Sequence, residues 1–331
     1  MTANAVLGKP WATHATGILA GVTSGGTFLL GAIYFTRVIG APATAAYGAG
    51  VMVTAVVAAV LAYDPVRRRV AGILHMDPEN PVHALTLVMA VIVLGTQISQ
   101  VLFVDVLAVD QSGPPLTVAD LFAQELPFLI IAVTGVGIFM RRTAAETALR
   151  LGVVRPAWWH VTLALAAGGL FVALSAGIGN LSQAWTPDVA HRIDVTTQHV
   201  FGGLANSANP VGIVALAVLP AICEEILFRG ALQPRLGLVV TALLFTSIHT
   251  QYSISFDTLT VFILALGLGL IRKYTNTTTS AISHATNNLI AGVGIGGQLL
   301  GFAIAAELML AAVTAYAVWS YRARVAAPSN P

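Results

Sequence analysis

The chain has 331 residues, of which 56% are apolar and only 9% are Asp, Glu, Lys or Arg. Soluble domains carry about 25% charged residues, so this composition excludes a water-soluble globular protein, and its hydrophobicity excludes intrinsic disorder. The net charge of +2 is scattered and offers no basic patch for nucleic acid, and the single cysteine, Cys223, excludes a disulfide framework.

Apolar runs that could cross a bilayer recur along the chain. A spanning helix needs about 20 mostly apolar residues, and the absence of water in lipid forces such runs to be helical. Ten runs are candidates: 17–35, 43–62, 84–104, 121–140, 161–178, 209–235, 237–252, 257–271, 280–296 and 298–320. The last two separate only at Gly294-Ile295-Gly296-Gly297. The sequence therefore predicts an all-α polytopic transmembrane helical bundle of about ten spans.

Lysine and arginine positions predict the orientation, because cytosolic loops of membrane proteins are enriched in both. With the N-terminus inside and ten crossings, Arg37 and Arg192 fall on the outer side and Arg229 lies within a span. All the other lysines and arginines then fall on the cytosolic side. We therefore expect a multi-pass protein of the cell membrane with both termini in the cytosol.

Adjacent carboxylates interrupt the sixth run. An ionisable group inside a span is costly and marks a pair or a functional site. Glu224 and Glu225 point about 100° apart on a helix, so they have different surroundings. Glu225 and Arg229 are spaced i, i+4 and can pair, either as a structural ion pair or within a catalytic site. Glu224 has no local partner, which suits a general acid or base.

Two further patterns lie on later helices. Phe245 and His249 are spaced i, i+4, which alone is typical of a packed histidine. His284 and Asn288 have the same spacing and could aim two hydrogen-bond donors at one point, as an oxyanion site requires. A hydrogen-bonded pair between helices explains them equally well.

Turn residues stand midway between Glu224 and His249. Pro234, Arg235 and Gly237 predict a break there. An antiparallel hairpin turning at this point would bring Glu224 and His249 to equal depth, about 18 Å from the turn. A carboxylate and an imidazole at one depth can hold a water between them.

The three patterns read, in chain order, E-E-x-x-x-R, F-x-x-x-H and H-x-x-x-N. This series resembles the CPBP family of intramembrane proteases, which includes the type II CAAX prenyl endopeptidases and the bacteriocin-processing, Abi-like proteins. The resemblance covers about 205–300 and implies a helical fold with a catalytic cavity inside the membrane.

The resemblance also implies a mechanism of peptide hydrolysis. Glu224, with His249, would activate a water for attack on a peptide carbonyl. His284 and Asn288 would be the oxyanion donors. The expected substrate is a hydrophobic or membrane-associated peptide or protein, met at or within the lipid bilayer.

The supporting positions and the cofactor follow from the same resemblance. Glu225 and Arg229 would orient the site, and Phe245 would form a wall of the pocket. Proteins of this family have been described both as metalloproteases and as metal-free glutamate proteases. One glutamate and two histidines could bind a divalent metal such as zinc. Because asparagine is a poor zinc ligand, we expect a metal-free enzyme without a cofactor.

The predicted organisation has four parts. Residues 1–156 hold about four spans and a cytosolic connector, and 157–204 hold a span and an outer loop. Residues 205–300 form the protease-like core, and 301–331 hold the last span and a cytosolic tail.

Other functions compete with proteolysis. The same scaffold could act without catalysis, in immunity to a peptide toxin or in partner binding. A proton-coupled transporter could use the buried Glu and His as a relay, although no internal repeat supports it. Glu125 and Glu307 also fall in spans and could line a water-filled path, but no pattern joins them to a site.

Overall fold

The computed structural model describes residues 2–36, 45–294 and 299–326, and these ranges are helical without a β-strand. The predicted all-α polytopic helical bundle is confirmed. In chain order the helices are α1 (Thr2–Ala5), α2 (Ala12–Thr36), α3 (Ala45–Ala62), α4 (Asp64–Ala71), α5 (Pro81–Phe103), α6 (Val106–Ser112), α7 (Val118–Gly135), α8 (Ala144–Leu151), α9 (Trp158–Trp185), α10 (Pro187–Phe201), α11 (Pro210–Glu225), a π-helix (Ile226–Leu232), α12 (Gln233–Leu236), α13 (Leu238–Ser247), a 3₁₀ turn (Thr250–Tyr252), α14 (Phe256–Tyr274), α15 (Thr277–Val293) and α16 (Leu299–Ala326).

Seven helices in the described ranges are long and apolar enough to cross a membrane, whereas about ten spans were expected. These are α2, α3, α5, α7, α9, the rod Pro210–Leu236 formed by α11, the π-helix and α12, and Leu300–Tyr321 of α16. The three other predicted runs form helices that are shorter or more polar. The 10 residues of α13 cover only about 15 Å of a hydrocarbon core about 30 Å thick.

The other two runs fall short for related reasons. The 17 residues of α15 include several Thr, Ser and Asn side chains, and α14 carries an acidic residue in its first turn and two basic residues in its last. The predicted break after α15 begins at Gly294, which has a φ of 71°. Residues 295–298 and Arg37 lie outside the described residues, as do the side chains of Arg322 and Arg324.

Caps and turns fix the helices that carry the site. The Asn209 side chain accepts a hydrogen bond from the Gly212 N–H at the start of α11, and Asn276 caps α15 through the Thr279 N–H. Gly237 separates α12 from α13 with a φ of 80°, a conformation that glycine adopts without a Cβ clash. The chain therefore turns back where the sequence predicted a hairpin.

The main apolar core surrounds the π-helix. Leu227 and Phe228 of the π-helix pack in one buried cluster with side chains from α7, α8, α13 and α14. In the rod Pro210–Leu236, 56% of the most apolar window is buried, against 11–28% in the other six candidate spans. This rod is therefore the helix that protein encloses most completely.

Candidate active site

Glu225 is the most connected side chain of the site. It is fully buried, and Arg229 Nε lies 3.2 Å from its Oε2. The Ser280 hydroxyl donates to the same oxygen at 2.6 Å, and His284 Nδ1 lies 3.1 Å from Oε1. Both carboxylate oxygens are therefore occupied, and they join the end of α11 to α15.

Arg229 lies on the π-helix that begins directly after Glu225. π-Helical turns are rare and occur frequently at functional sites. Arg229 Nη2 donates to the Ala265 carbonyl of α14 at 3.3 Å, and the guanidinium carbon lies 4.2 Å from the centroid of the Phe245 ring. The arginine thus links three helices beneath the site.

His249 follows α13 and is held by its backbone neighbours. Its Nδ1 lies 2.8 Å from the Phe245 carbonyl oxygen, and its ring is parallel to Tyr252 at 6.5 Å between centroids. A carbonyl only accepts, so Nδ1 carries the proton. In the neutral ring, Nε2 then has a free lone pair and can accept a proton.

A hydrogen bond to Nδ1 also orients the imidazole of His284. Nδ1 of His284 donates to Glu225, which leaves Nε2 free of this contact. Phe245 packs against both imidazoles, with its centroid 4.7 Å from that of His249 and 6.0 Å from that of His284.

A cavity of about 280 Å³ is lined by both histidines. Its other polar walls include Tyr252, Asp257, Asn287 and Asn288, and apolar walls come mainly from α9 and α14. Asn288 Oδ1 accepts from Asn287 at 3.1 Å, and Asn288 Nδ2 lies 3.4 Å from the Leu216 carbonyl. The cavity combines hydrogen-bonding groups with apolar surface, so it can hold a water and a peptide segment together.

Glu224 is buried, with 4% of its surface exposed. Its Oε2 has no hydrogen-bond partner among the described residues. Glu224 is absent from the cavity lining, but it interacts electrostatically with Tyr252, which does line the cavity.

The equal depth of Glu224 and His249 stays a prediction. α13 ends at Ser247, two residues before His249, and the first arm of the hairpin contains the π-helix. Counting residues from the turn at 1.5 Å each therefore does not measure depth in this hairpin.

Part of the chain is similar to a known protein family. Residues 206–290 match the family model described as Rce1-like, type II CAAX prenyl endopeptidase Rce1-like. This segment is therefore similar to Rce1-like domains, and it is called the Rce1-like segment or domain below for that similarity. It contains all seven residues of the three sequence patterns and about a quarter of the chain. No curated protein and no solved structure shows significant similarity to the chain.

The chain is accordingly a multi-pass membrane protein in which residues 206–290 are similar to a CAAX-type intramembrane protease family. The match confirms the resemblance stated from the three patterns. The roles of the individual side chains in the Rce1-like domain remain proposals.

One acidic neighbour of the site comes from outside the Rce1-like domain. Glu125 of α7 is 7% exposed, its Oε2 has no hydrogen-bond partner in the described chain, and it interacts electrostatically with Glu224. One turn along α7, the Phe128 ring contacts Phe228 at 6.1 Å between centroids. Sequence reasoning gave Glu125 no role, and its only signal was a carboxylate within an apolar run.

Zinc coordination does not fit this geometry. In the described ranges, no group of three or more His, Cys, Asp or Glu side chains is arranged to hold a metal ion. The set of one glutamate and two histidines considered from the sequence is thus not assembled in the described ranges.

Proposed function

We propose that this protein is an intramembrane endopeptidase. Glu224, with His249, activates a water, and His284 and Asn288 stabilise the oxyanion that forms on the peptide carbonyl. The observation that carries the proposal is the cavity lined by both imidazoles and Asn288 within an Rce1-like domain.

The two adjacent carboxylates, Glu224 and Glu225, have different roles in this proposal. Glu225 cannot serve as the base without giving up Arg229, Ser280 or His284, since both of its oxygens are engaged. Glu224 keeps an oxygen without a partner. In the proposed step, water oxygen bonds to the carbonyl carbon while its proton passes to the Glu224 and His249 pair. The same pair then returns the proton to the departing amine.

The oxyanion site needs two donors. His284 Nδ1 already donates to Glu225, so a second donation, from Nε2 to the oxyanion, needs a proton on both ring nitrogens. Asn288 Nδ2 supplies the second donor, because its contact with the Leu216 carbonyl is long at 3.4 Å and weak. Each such donor contributes about 10²–10³ in rate.

The cavity also indicates the substrate class. Phe171, Val261 and Leu264 form apolar walls beside the polar groups. A hydrophobic, membrane-associated peptide matches this surface, and the bilayer itself delivers such a peptide to the helices. The orientation with both termini in the cytosol remains a prediction.

Cleavage by the full-length protein in liposomes tests the proposal. Quenched peptides with apolar C-terminal segments, with and without a prenylated cysteine, report the rate. Because a general base contributes about 10²–10⁴, we expect Glu224→Gln to lower kcat by at least about 10² with unchanged thermal stability. The control is Glu79→Gln, which removes an exposed carboxylate paired with Arg68 at 2.5 Å.

Two results would contradict the proposal. Full cleavage by Glu224→Gln would remove the assigned base, and full biological function without cleavage would favour the non-catalytic scaffold. Chelation is expected to leave the rate unchanged. Loss of activity on chelation, with recovery on adding zinc, would overturn the metal-free mechanism.

A further inference from the structure

Three arginines lie at the ends of three helices. Arg150, Arg235 and Arg272, the arginine cluster, stand in the last turns of α8, α12 and α14. The guanidinium of Arg272 packs against Gly152, where an added Cβ would lie 2.9 Å from its Nη2. Arg150 interacts electrostatically with both of the other members and with Arg142.

No carboxylate pairs with this cluster in the described part of the chain. Elsewhere in the fold arginines do form ion pairs, with partners Arg67–Asp64, Arg68–Glu79, Arg192–Asp105 and Arg229–Glu225. The Nε atoms of Arg235 and Arg272 are buried without a hydrogen-bond partner among the described residues. Burial, together with the neighbouring guanidinium groups, lowers the pKa of Arg150. The cluster therefore carries positive charge without a paired carboxylate in the described ranges, and two of its Nε–H groups have no hydrogen-bond acceptor there.

The side chains beside the cluster are of the kind found at a membrane surface. Leu149 next to Arg150 is 67% exposed, and Tyr274 near Arg272 is 74% exposed. Tyrosine is typical of the interface between lipid and water, and basic pockets between membrane helices bind anionic headgroups. Guanidinium groups match phosphate oxygens in charge and in fork geometry.

We propose that the arginine cluster binds the phosphate of an anionic lipid headgroup. The exposed apolar side chains beside it favour a lipid over a free phosphate ion, because they offer a surface for acyl chains. The proposal does not depend on proteolysis.

Headgroup binding at this point would also stabilise the site helices. Arg150 Nη1 donates to the Gly230 carbonyl of the π-helix at 3.3 Å, and Thr277 Oγ1 of α15 donates to the Leu151 carbonyl at 2.5 Å. α8 thus joins the π-helix to the start of α15. A bound headgroup that fixes α8 therefore resists separation of these two helices.

Nanodiscs of defined composition test the proposal with the full-length protein. The three arms are phosphatidylcholine alone, phosphatidylcholine with phosphatidylglycerol, and phosphatidylcholine alone with inorganic phosphate in the buffer. Thermal midpoint and energy transfer to labelled phosphatidylglycerol are measured. We expect phosphatidylglycerol to raise the midpoint and to bind near the cluster. Arg150→Gln with Arg272→Gln should weaken binding about 25-fold, or about fivefold per arginine.

Matched variants separate a site from a general surface charge. Arg69→Gln with Arg155→Gln removes the same charge from exposed arginines outside the cluster and should leave binding unchanged. An equal loss in this control, or no preference for phosphatidylglycerol, would overturn the proposal. An equal effect of inorganic phosphate would overturn the lipid assignment. If the double cluster variant does not fold, Arg235→Gln alone carries the test with an expected loss of about fivefold.

Discussion

The helix pair α2 and α3 and the rod Pro210–Leu236 pack in different ways. α2 and α3 approach closely at Gly31, where an added Cβ would lie 2.8 Å from the Gly48 carbonyl. Their most apolar windows are only 17% and 28% buried. The rod is 56% buried and carries Glu225 and Arg229, both almost completely enclosed.

This difference shows where a membrane protein can place charge. Small residues let helices associate without polar groups, and lipid then covers the remaining faces. Ionised side chains need partners and a surrounding of protein. The ionised side chains of the proposed site therefore lie in the enclosed rod, while α2 and α3 present mostly apolar surface. Substitutions that expose a buried charge in the rod should therefore cost more than substitutions in α2 and α3.

Loss of the buried carboxylate should give the largest change in stability. Glu225→Ala leaves Arg229 buried without its ion pair, so we expect the free energy of unfolding to fall by about 3–5 kcal/mol. Unfolding in mixed micelles measures it. Glu79→Gln breaks an exposed pair and should cost at most about 1 kcal/mol. Equal costs for the two variants would mean that enclosure does not matter.

Removal of the amide donor should affect rate rather than stability. For Asn288→Ala we expect kcat to fall by about 10²–10³, because the oxyanion loses one hydrogen-bond donor. Stability should change little, because among the described residues the Asn288 side chain has only a long contact with the Leu216 carbonyl and the hydrogen bond from Asn287. Peptide cleavage in liposomes measures the rate, and thermal unfolding of the same variant is the control. A parallel fall in both would assign Asn288 to packing instead.

The close approach of α2 and α3 should tolerate no added methyl group. Gly31→Ala brings a Cβ within 2.8 Å of backbone atoms of Gly48 and Met52, so we expect a loss of about 1–3 kcal/mol in unfolding free energy. Gly25→Ala, with nothing within 4 Å of its Cβ, is the matched control and should be neutral or slightly stabilising. No difference between the two would refute the packing of this pair.

The smallest effect should come from the exposed ion pair between Asp105 and Arg192, which lies outside the candidate spans. The Ala108 N–H and then the Arg192 guanidinium lower the pKa of Asp105 below its ordinary value of 3.8. The stabilisation is therefore present above that value and is lost as the pH falls through the lowered pKa. Because the pair is exposed, we expect at most about 1 kcal/mol. Acid titration of unfolding for the wild type and Asp105→Asn measures it, and a constant difference down to about pH 2 would contradict the assignment.

Much of the fold follows from the sequence, because apolar length and turn residues act locally. Each of the ten apolar runs overlaps a helix in the described ranges. Gly237 ends α12 at the point where Pro234, Arg235 and Gly237 predicted a break in the helix. Seven rather than about ten helices of the described ranges are long and apolar enough to cross a membrane, because a run can be apolar and still too short, as α13 shows.

The site followed from the sequence only within single helices. The spacing of Glu225 and Arg229 predicted their ion pair, which is present. The bonds from Ser280 and His284 to Glu225 join residues 55 and 59 positions apart, and no local pattern encodes such contacts. The neighbourhood of Glu125 and Glu224 was hidden for the same reason.

The π-helix also changes what a one-residue deletion would do to the rod. A π-turn holds one more residue than an α-turn, so removing one residue from Ile226–Leu232 would let the rod continue as a regular helix, with the residues beyond it on about their present faces. The same deletion within α11 would rotate every residue beyond it by about 100° around the axis. The π-helix is thus the part of the rod in which the loss of one residue is accommodated most easily.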